Sequence, residues 1–104
     1  MLFIETPIFT SEIQSLLPDE HYRDLQGVLA IQPDAGNVIK GSGGLRKIRF
    51  GLKGMGKRGG LRIIYYWDPP DTIYMLFAYK KNEQEDLTQS QVKILSKLVQ
   101  EYLK

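Results

Sequence analysis

Apolar residues recur along this chain with two different periods, and the changes of period mark its elements. Leu2-Phe3-Ile4-Glu5 reads as a short opening strand. Thr6 and Pro7 then give a helix start, an N-cap followed by proline at the first helical position. Phe9, Ile13, Leu16 and Leu17 recur at helical spacing and predict a first helix of about ten residues. Pro18 restarts the chain, and Asp19 and Glu20 fall in the next first turn, where the helix dipole favours anions. Tyr22, Leu25, Val28 and Leu29 form the apolar stripe of a second helix, which should stop before Pro33.

After the turn Asp34-Ala35-Gly36-Asn37 the period shortens to that of a strand. Between Leu45 and Leu52, Ile48, Phe50 and Leu52 share one strand face, while Lys47 and Arg49 share the other. Arg62 to Trp67 is rich in β-branched and aromatic residues and reads as a strong strand. Asp68-Pro69-Pro70-Asp71 makes a tight connection, and Ile73 to Tyr79 is almost continuously apolar, as in a central strand covered on both faces. The last helix is announced by a capping box, Thr88 with Gln91, and by Leu87 and Val92 as its hydrophobic staple. Val92, Leu95, Val99 and Tyr102 form its stripe, widened by Leu98 and Leu103. The order β-α-α-β-β-β-α predicts an α+β fold: a mostly antiparallel sheet, an N-terminal helical hairpin and a C-terminal helix. Residues 1–104 read as one domain, without repeats or linkers.

Charge changes this picture, because it is not spread evenly. Residues 1–39 hold six acids against Arg23 alone, a net of −5. Residues 40–66 hold Lys40, Arg46, Lys47, Arg49, Lys53, Lys57, Arg58 and Arg62 with no acid, a net of +8. Residues 67–104 return to −1. An unneutralised block of eight cations points to a polyanionic partner. A solvated basic hairpin is the plainer alternative. The chain has no cysteine and a single histidine, His21, which excludes disulfide scaffolds, thiolate zinc sites and any centre needing two imidazoles. No metal or cofactor is expected. No run approaches the length of a membrane helix and no secretory signal pattern opens the chain, so a soluble cytoplasmic domain is expected.

Candidate chemistry concentrates in the basic block. Gly51-x-x-x-x-Gly56-Lys57 approaches a phosphate-binding P-loop, but Arg58 stands where Ser or Thr must hold magnesium, and a strand follows where a helix is required. Nucleotide hydrolysis is therefore rejected. A glycine-rich loop carrying Lys53, Lys57 and Arg58 remains, suited to approach phosphates closely. Lys47 and Arg49 leave one strand face about 7 Å apart. Arg62 opens the neighbouring strand, so three cations converge on a single phosphate with no acid nearby in sequence. Tyr79 and Lys80 close the next strand, and Tyr79 is either a base-stacking ring or core. His21 lies in the acidic hairpin and reads as an exposed helix residue.

Several linked motifs now carry a resemblance. Gly36-Asn37-Val38-Ile39, Gly41-Ser42-Gly43-Gly44-Leu45-Arg46-Lys47-Ile48-Arg49, Gly56-Lys57-Arg58-Gly59-Gly60-x-Arg62-Ile63-Ile64-Tyr65-Tyr66 and Tyr79-x-Lys81-Asn82-Glu83-x-x-Asp86-Leu87-Thr88 resemble the HigB branch of the RelE toxin superfamily. The resemblance implies a toxin of a bacterial type II toxin–antitoxin system, an endoribonuclease cleaving translated mRNA on the ribosome. It implies a helix-turn-helix, HigA-like antitoxin as partner, operator DNA bound only through the toxin–antitoxin complex, and no membrane. It also implies a microbial ribonuclease-like sheet with its helices on one side. The cations around the scissile phosphate map to Lys47, Arg49, Arg62 and Lys81. Arg46, Lys53, Lys57, Arg58, Tyr79 and Lys80 are candidates for RNA binding. The C-terminal tyrosine of RelE-like enzymes is not carried over, because Tyr102 lies in the apolar stripe. With no metal-binding cluster in the basic region, the substrate's own 2′-hydroxyl is the expected nucleophile, with Lys47 the leading candidate to assist its deprotonation. The competing reading is a ParE-like toxin, which shares the fold and inhibits DNA gyrase by protein binding.

Overall fold

The computed structural model describes residues 1–51 and 60–104. The element order is β1 (Leu2–Glu5), α1 (Pro7–Leu16), α2 (Asp19–Ile31), β2 (Asn37–Val38), β3 (Arg46–Phe50), β4 (Leu61–Asp68), β5 (Thr72–Lys80) and α3 (Gln89–Tyr102). The strands form one sheet in the order β1-β5-β4-β3-β2. Each pairing is antiparallel except β1 with β5, which is parallel. The mostly antiparallel α+β fold read from the sequence is therefore the fold found. Two details differ. The segment after the Asp34 turn adds a two-residue edge strand, and β3 stops at Phe50. The remainder of the expected strand face, Leu52, lies outside the described residues.

Local chemistry explains where the helices begin. The Thr6 hydroxyl accepts the Phe9 N–H at 3.0 Å and donates to the Leu76 carbonyl at 3.0 Å, so one side chain caps α1 and ties it to β5. Pro18 caps α2 without a side-chain bond, and Asp19 and Glu20 fill its first turn. At α3 both halves of the capping box form: Thr88 accepts from the Gln91 backbone N–H, and the Gln91 side chain accepts from the Thr88 N–H.

The helices pack on both faces of the sheet, which corrects the one-sided arrangement that the resemblance implied. Phe9, Ile13, Leu17, Leu25 and Leu29 of the helical hairpin join Leu61, Ile63, Tyr65, Ile73 and Met75 in one core. Leu95 and Val99 of α3 join Leu45, Ile64, Tyr74, Leu76 and Tyr79 in another. Strand alternation explains the split. Odd-numbered residues of β4 face the hairpin, and even-numbered ones face α3. A register shift between Ile64 and Tyr65 changes that parity on β5 after Met75.

The loop before β2 is pinned from inside. The Tyr65 hydroxyl donates to the Pro33 carbonyl and accepts the Gly36 N–H, both at 2.8 Å. A Cβ at Gly36 would lie 2.8 Å from the Tyr65 ring and 3.0 Å from the Lys47 carbonyl oxygen, so no larger residue fits without displacement. Asn37 follows directly and pairs with Lys47 in the β2–β3 ladder.

Candidate functional site

Arg49 of β3 stands directly opposite Arg62 of β4 in the antiparallel register. Directly opposed like charges destabilise a sheet, so the pair carries a cost that a fold alone does not explain. Arg62 is 5% exposed, and its nearest partner is the Leu61 carbonyl at a long 3.4 Å. No carboxylate among the described residues lies within salt-bridge distance of either guanidinium, and residues 52–59 contain no acid. Two residues along β3 from Arg49, Lys47 leaves the same face, because side chains alternate.

These side chains line a cleft of about 330 Å³ with Asn37, Lys81 and Glu85. Lys47, Arg49, Arg62 and Lys81, grouped from the sequence, thus come together in three dimensions. Lys81 arrives from the segment after β5, whose backbone N–H bonds the Gly60 carbonyl at 3.3 Å beside the start of β4. The cleft lies on the α3 face of the sheet, since Arg62 alternates with the hairpin-facing Leu61 and Ile63. A larger and more apolar groove of about 540 Å³ runs between Gly41 and α3 and gathers none of these groups.

No acid is near Lys47, Arg49 and Arg62 in sequence, but one distant in sequence pairs with this cluster. Lys47 Nζ lies 3.1 Å from Asp86 Oδ1, a carboxylate 39 positions away. The same oxygen accepts the Leu87 N–H at 2.9 Å. The Lys47 hydrogen bond, then the Leu87 N–H, hold the Asp86 carboxyl below its usual range. Asn37, Glu85 and Asp86 are the participants that charge counting missed. The run Lys81-Asn82-Glu83-Gln84-Glu85-Asp86 was the available signal, with acids crowding directly behind the last strand.

Other expected contacts fall elsewhere. Tyr79 is 6% exposed and packs in the α3 core against Phe77, so it has no free face for stacking on a base. Burial raises its pKa; Asp86 adds to that rise, and Arg62 opposes it. Its hydroxyl has no hydrogen-bond partner among the described residues. Arg46 points the other way along β3 and donates to the Gly36 carbonyl at 2.8 Å, which braces the loop before β2. Lys80, one residue beyond Tyr79, lines a separate cavity with Glu12 and Glu83. Lys53, Lys57 and Arg58 lie outside the described residues. Tyr102 stacks on Tyr74 with ring centroids 5.2 Å apart, away from the cleft. His21 sits on α2, which packs on the opposite face, with Glu20 at 3.9 Å.

The cleft has the chemistry of an anion site. Guanidinium and ammonium donors converge from two strands and a loop, and the most buried of them has no carboxylate to satisfy it. Among the described residues no three His, Cys, Asp or Glu side chains come together as metal ligands, and no helix is long and apolar enough to cross a membrane. The family described as the RelE toxin of the RelE/RelB toxin–antitoxin system matches residues 19–104, a span that takes in every residue of the cleft. This chain belongs to the RelE toxin family, as a toxin whose partner is an antitoxin.

Proposed function

We propose that the protein is a ribosome-dependent endoribonuclease that cleaves translated mRNA at the cationic cleft. The observation that carries this reading is the Arg49–Arg62 juxtaposition, with no carboxylate of the described residues in salt-bridge distance of either guanidinium, inside a cleft that also takes Lys47 and Lys81. A phosphodiester supplies the charge that these groups lack.

The reaction follows from the groups present. The 2′-hydroxyl of the scissile nucleotide attacks the adjacent phosphorus, the 5′-oxygen leaves, and a 2′,3′-cyclic phosphate forms. Arg49 and Arg62 stabilise the charge that builds on the phosphoryl oxygens, and Lys81 serves the leaving oxygen. Lys47 is already engaged with Asp86, which suits it to hold the phosphate rather than to take up a proton. Glu85 is the carboxylate that lines the cleft, and among the described residues it forms no ion pair, so we assign it to accept the proton of the 2′-hydroxyl. No step requires a metal. The antitoxin, a HigA-like helix-turn-helix protein in this reading, silences the toxin by presenting acids to the same surface, and operator DNA is bound through that complex.

Purified toxin should cut a message on programmed ribosomes in the presence of EDTA, once ribosome integrity is controlled for. It should leave gyrase supercoiling untouched. Inhibition of supercoiling without message cleavage would give the fold a ParE-like role instead.

A further inference from the structure

The cleft is assembled from two separately placed walls. Lys47, Arg49 and Arg62 stand on adjacent strands, whereas Lys81 and Glu85 come from the segment between β5 and α3, which has no regular structure. Apart from the Lys81 N–H bond to the Gly60 carbonyl, that segment is bonded mostly to its own ends. The Glu83 and Gln84 N–H groups reach back to the Lys80 carbonyl, and the Gln84 side chain bonds the Asp86 carbonyl at 2.8 Å and the Gln91 side chain at 2.6 Å. Among the described residues, the Asp86–Lys47 pair is the side-chain bond that ties it to β3.

We infer that Asp86 is a positioning residue, which holds Lys47 over the cleft and clamps the segment carrying Lys81 and Glu85 against β3. This rests on the reading of the cleft as the phosphate site. The Asp86 carboxylate is itself oriented, because the oxygen facing Lys47 also accepts the Leu87 N–H just ahead of the α3 capping box. Lysine has a long flexible stem and no preferred fork geometry, so an ion pair at its tip selects among many rotamers. The Asp86 side chain is 68% exposed and that of Lys47 32% exposed. A pair so open to solvent contributes little to stability, so its value to the protein lies in the geometry that it fixes. A carboxylate beside a site for RNA also repels the substrate, which makes its presence there costly unless it organises the cations.

Those two effects have opposite signs, and the opposition gives the test. In Asp86→Ala, affinity for a single-stranded RNA oligonucleotide should rise and its salt dependence steepen, because one negative charge is gone. Message cleavage on ribosomes should nevertheless fall about 10–100-fold in kcat, as misplaced groups do, with an unchanged melting temperature. Asp86→Asn, which keeps an oxygen acceptor, should show the same affinity gain with part of the kcat restored. In a Lys47→Ala background, Asp86→Ala should cost nothing further. Equal or faster cleavage by folded Asp86→Ala, or full additivity with Lys47→Ala, would overturn the inference. Loss of cleavage in Arg62→Ala with none in Asp86→Ala would remove this role alone. Intact cleavage in both would remove the phosphate-site reading as well.

Discussion

The two faces of the sheet are built from the same strands and obey opposite rules. Towards the helical hairpin, Ile63 and Tyr65 of β4 are wholly buried among Phe9, Leu25 and Leu29. Even the Tyr65 hydroxyl finds two partners there, and among the described residues the Trp67 Nε1 is the polar side-chain atom buried on this face without one. Towards α3, Ile64 continues the same logic, yet one alternation away Arg62 is buried with no carboxylate partner and faces Arg49. α3 packs over Ile64 and Tyr74, and the cationic cleft lies beyond it on the same face. A sequence can thus place stability and chemistry on neighbouring residues, provided the helix that covers a face leaves part of it uncovered. Substitutions on the two faces should separate the two properties.

The largest effect belongs to the hairpin face. Phe9→Ala removes a ring that is 0% exposed and should cost about 3–5 kcal/mol in chemical denaturation, with toxicity lost only through unfolding. Arg62→Ala should do the reverse. It removes about 2.7–4 kcal/mol of transition-state stabilisation, read as the fall in cleavage rate, while denaturant stability holds or improves because a charge without a carboxylate leaves the interior. A folded Arg62→Ala protein that still arrests growth fully would erase the distinction between the faces.

Gly36→Ala tests the bridge between them. Its Cβ would press on the Tyr65 ring and on the Lys47 carbonyl beside the cleft. Overpacking of this kind costs about 1–3 kcal/mol and should be visible in the melt. Because Asn37 is displaced with it, cleavage should fall by more than the loss of folded protein accounts for. A drop in proportion to folding would mean that Asn37 takes no part.

The smallest effect concerns Glu12 on α1. Burial raises its pKa above the usual 4.5, and the bond from the Ala78 N–H opposes that. The folded state therefore holds this proton more tightly than the unfolded chain does, so the group favours folding when protonated and penalises it as pH rises through the raised pKa. Glu12→Gln keeps an acceptor for Ala78 and should raise the melting temperature slightly at pH 7. That gain should fade as pH is lowered below 4.5. A gain that persists in acid would assign the effect to packing.

What could be read from the sequence follows from how local each signal is. The caps at Thr6 and Thr88, the face shared by Lys47 and Arg49, and the double-sided burial of β5 all depend on spacings within a few residues, and the structure has each of them. The Lys47–Asp86 pair spans 39 positions, and the acids behind the last strand show only that a carboxylate is near, not which cation it meets. The stripe of α3 says that the helix buries one side, but not which face of the sheet receives it. Arg46 and Lys80 show a different failure. Alternation already sets them apart from Lys47 and Tyr79, but counting charge along the chain hides the face on which each one stands.

The most direct test of the account is a message with a single 2′-deoxy substitution at the scissile nucleotide, presented to the wild-type toxin on the ribosome. This message should be bound normally and left uncut, while the all-ribose message yields a 2′,3′-cyclic phosphate or its 3′-phosphate product. Cleavage of the deoxy message at the same bond would contradict it, because the nucleophile would then have to come from somewhere other than the substrate.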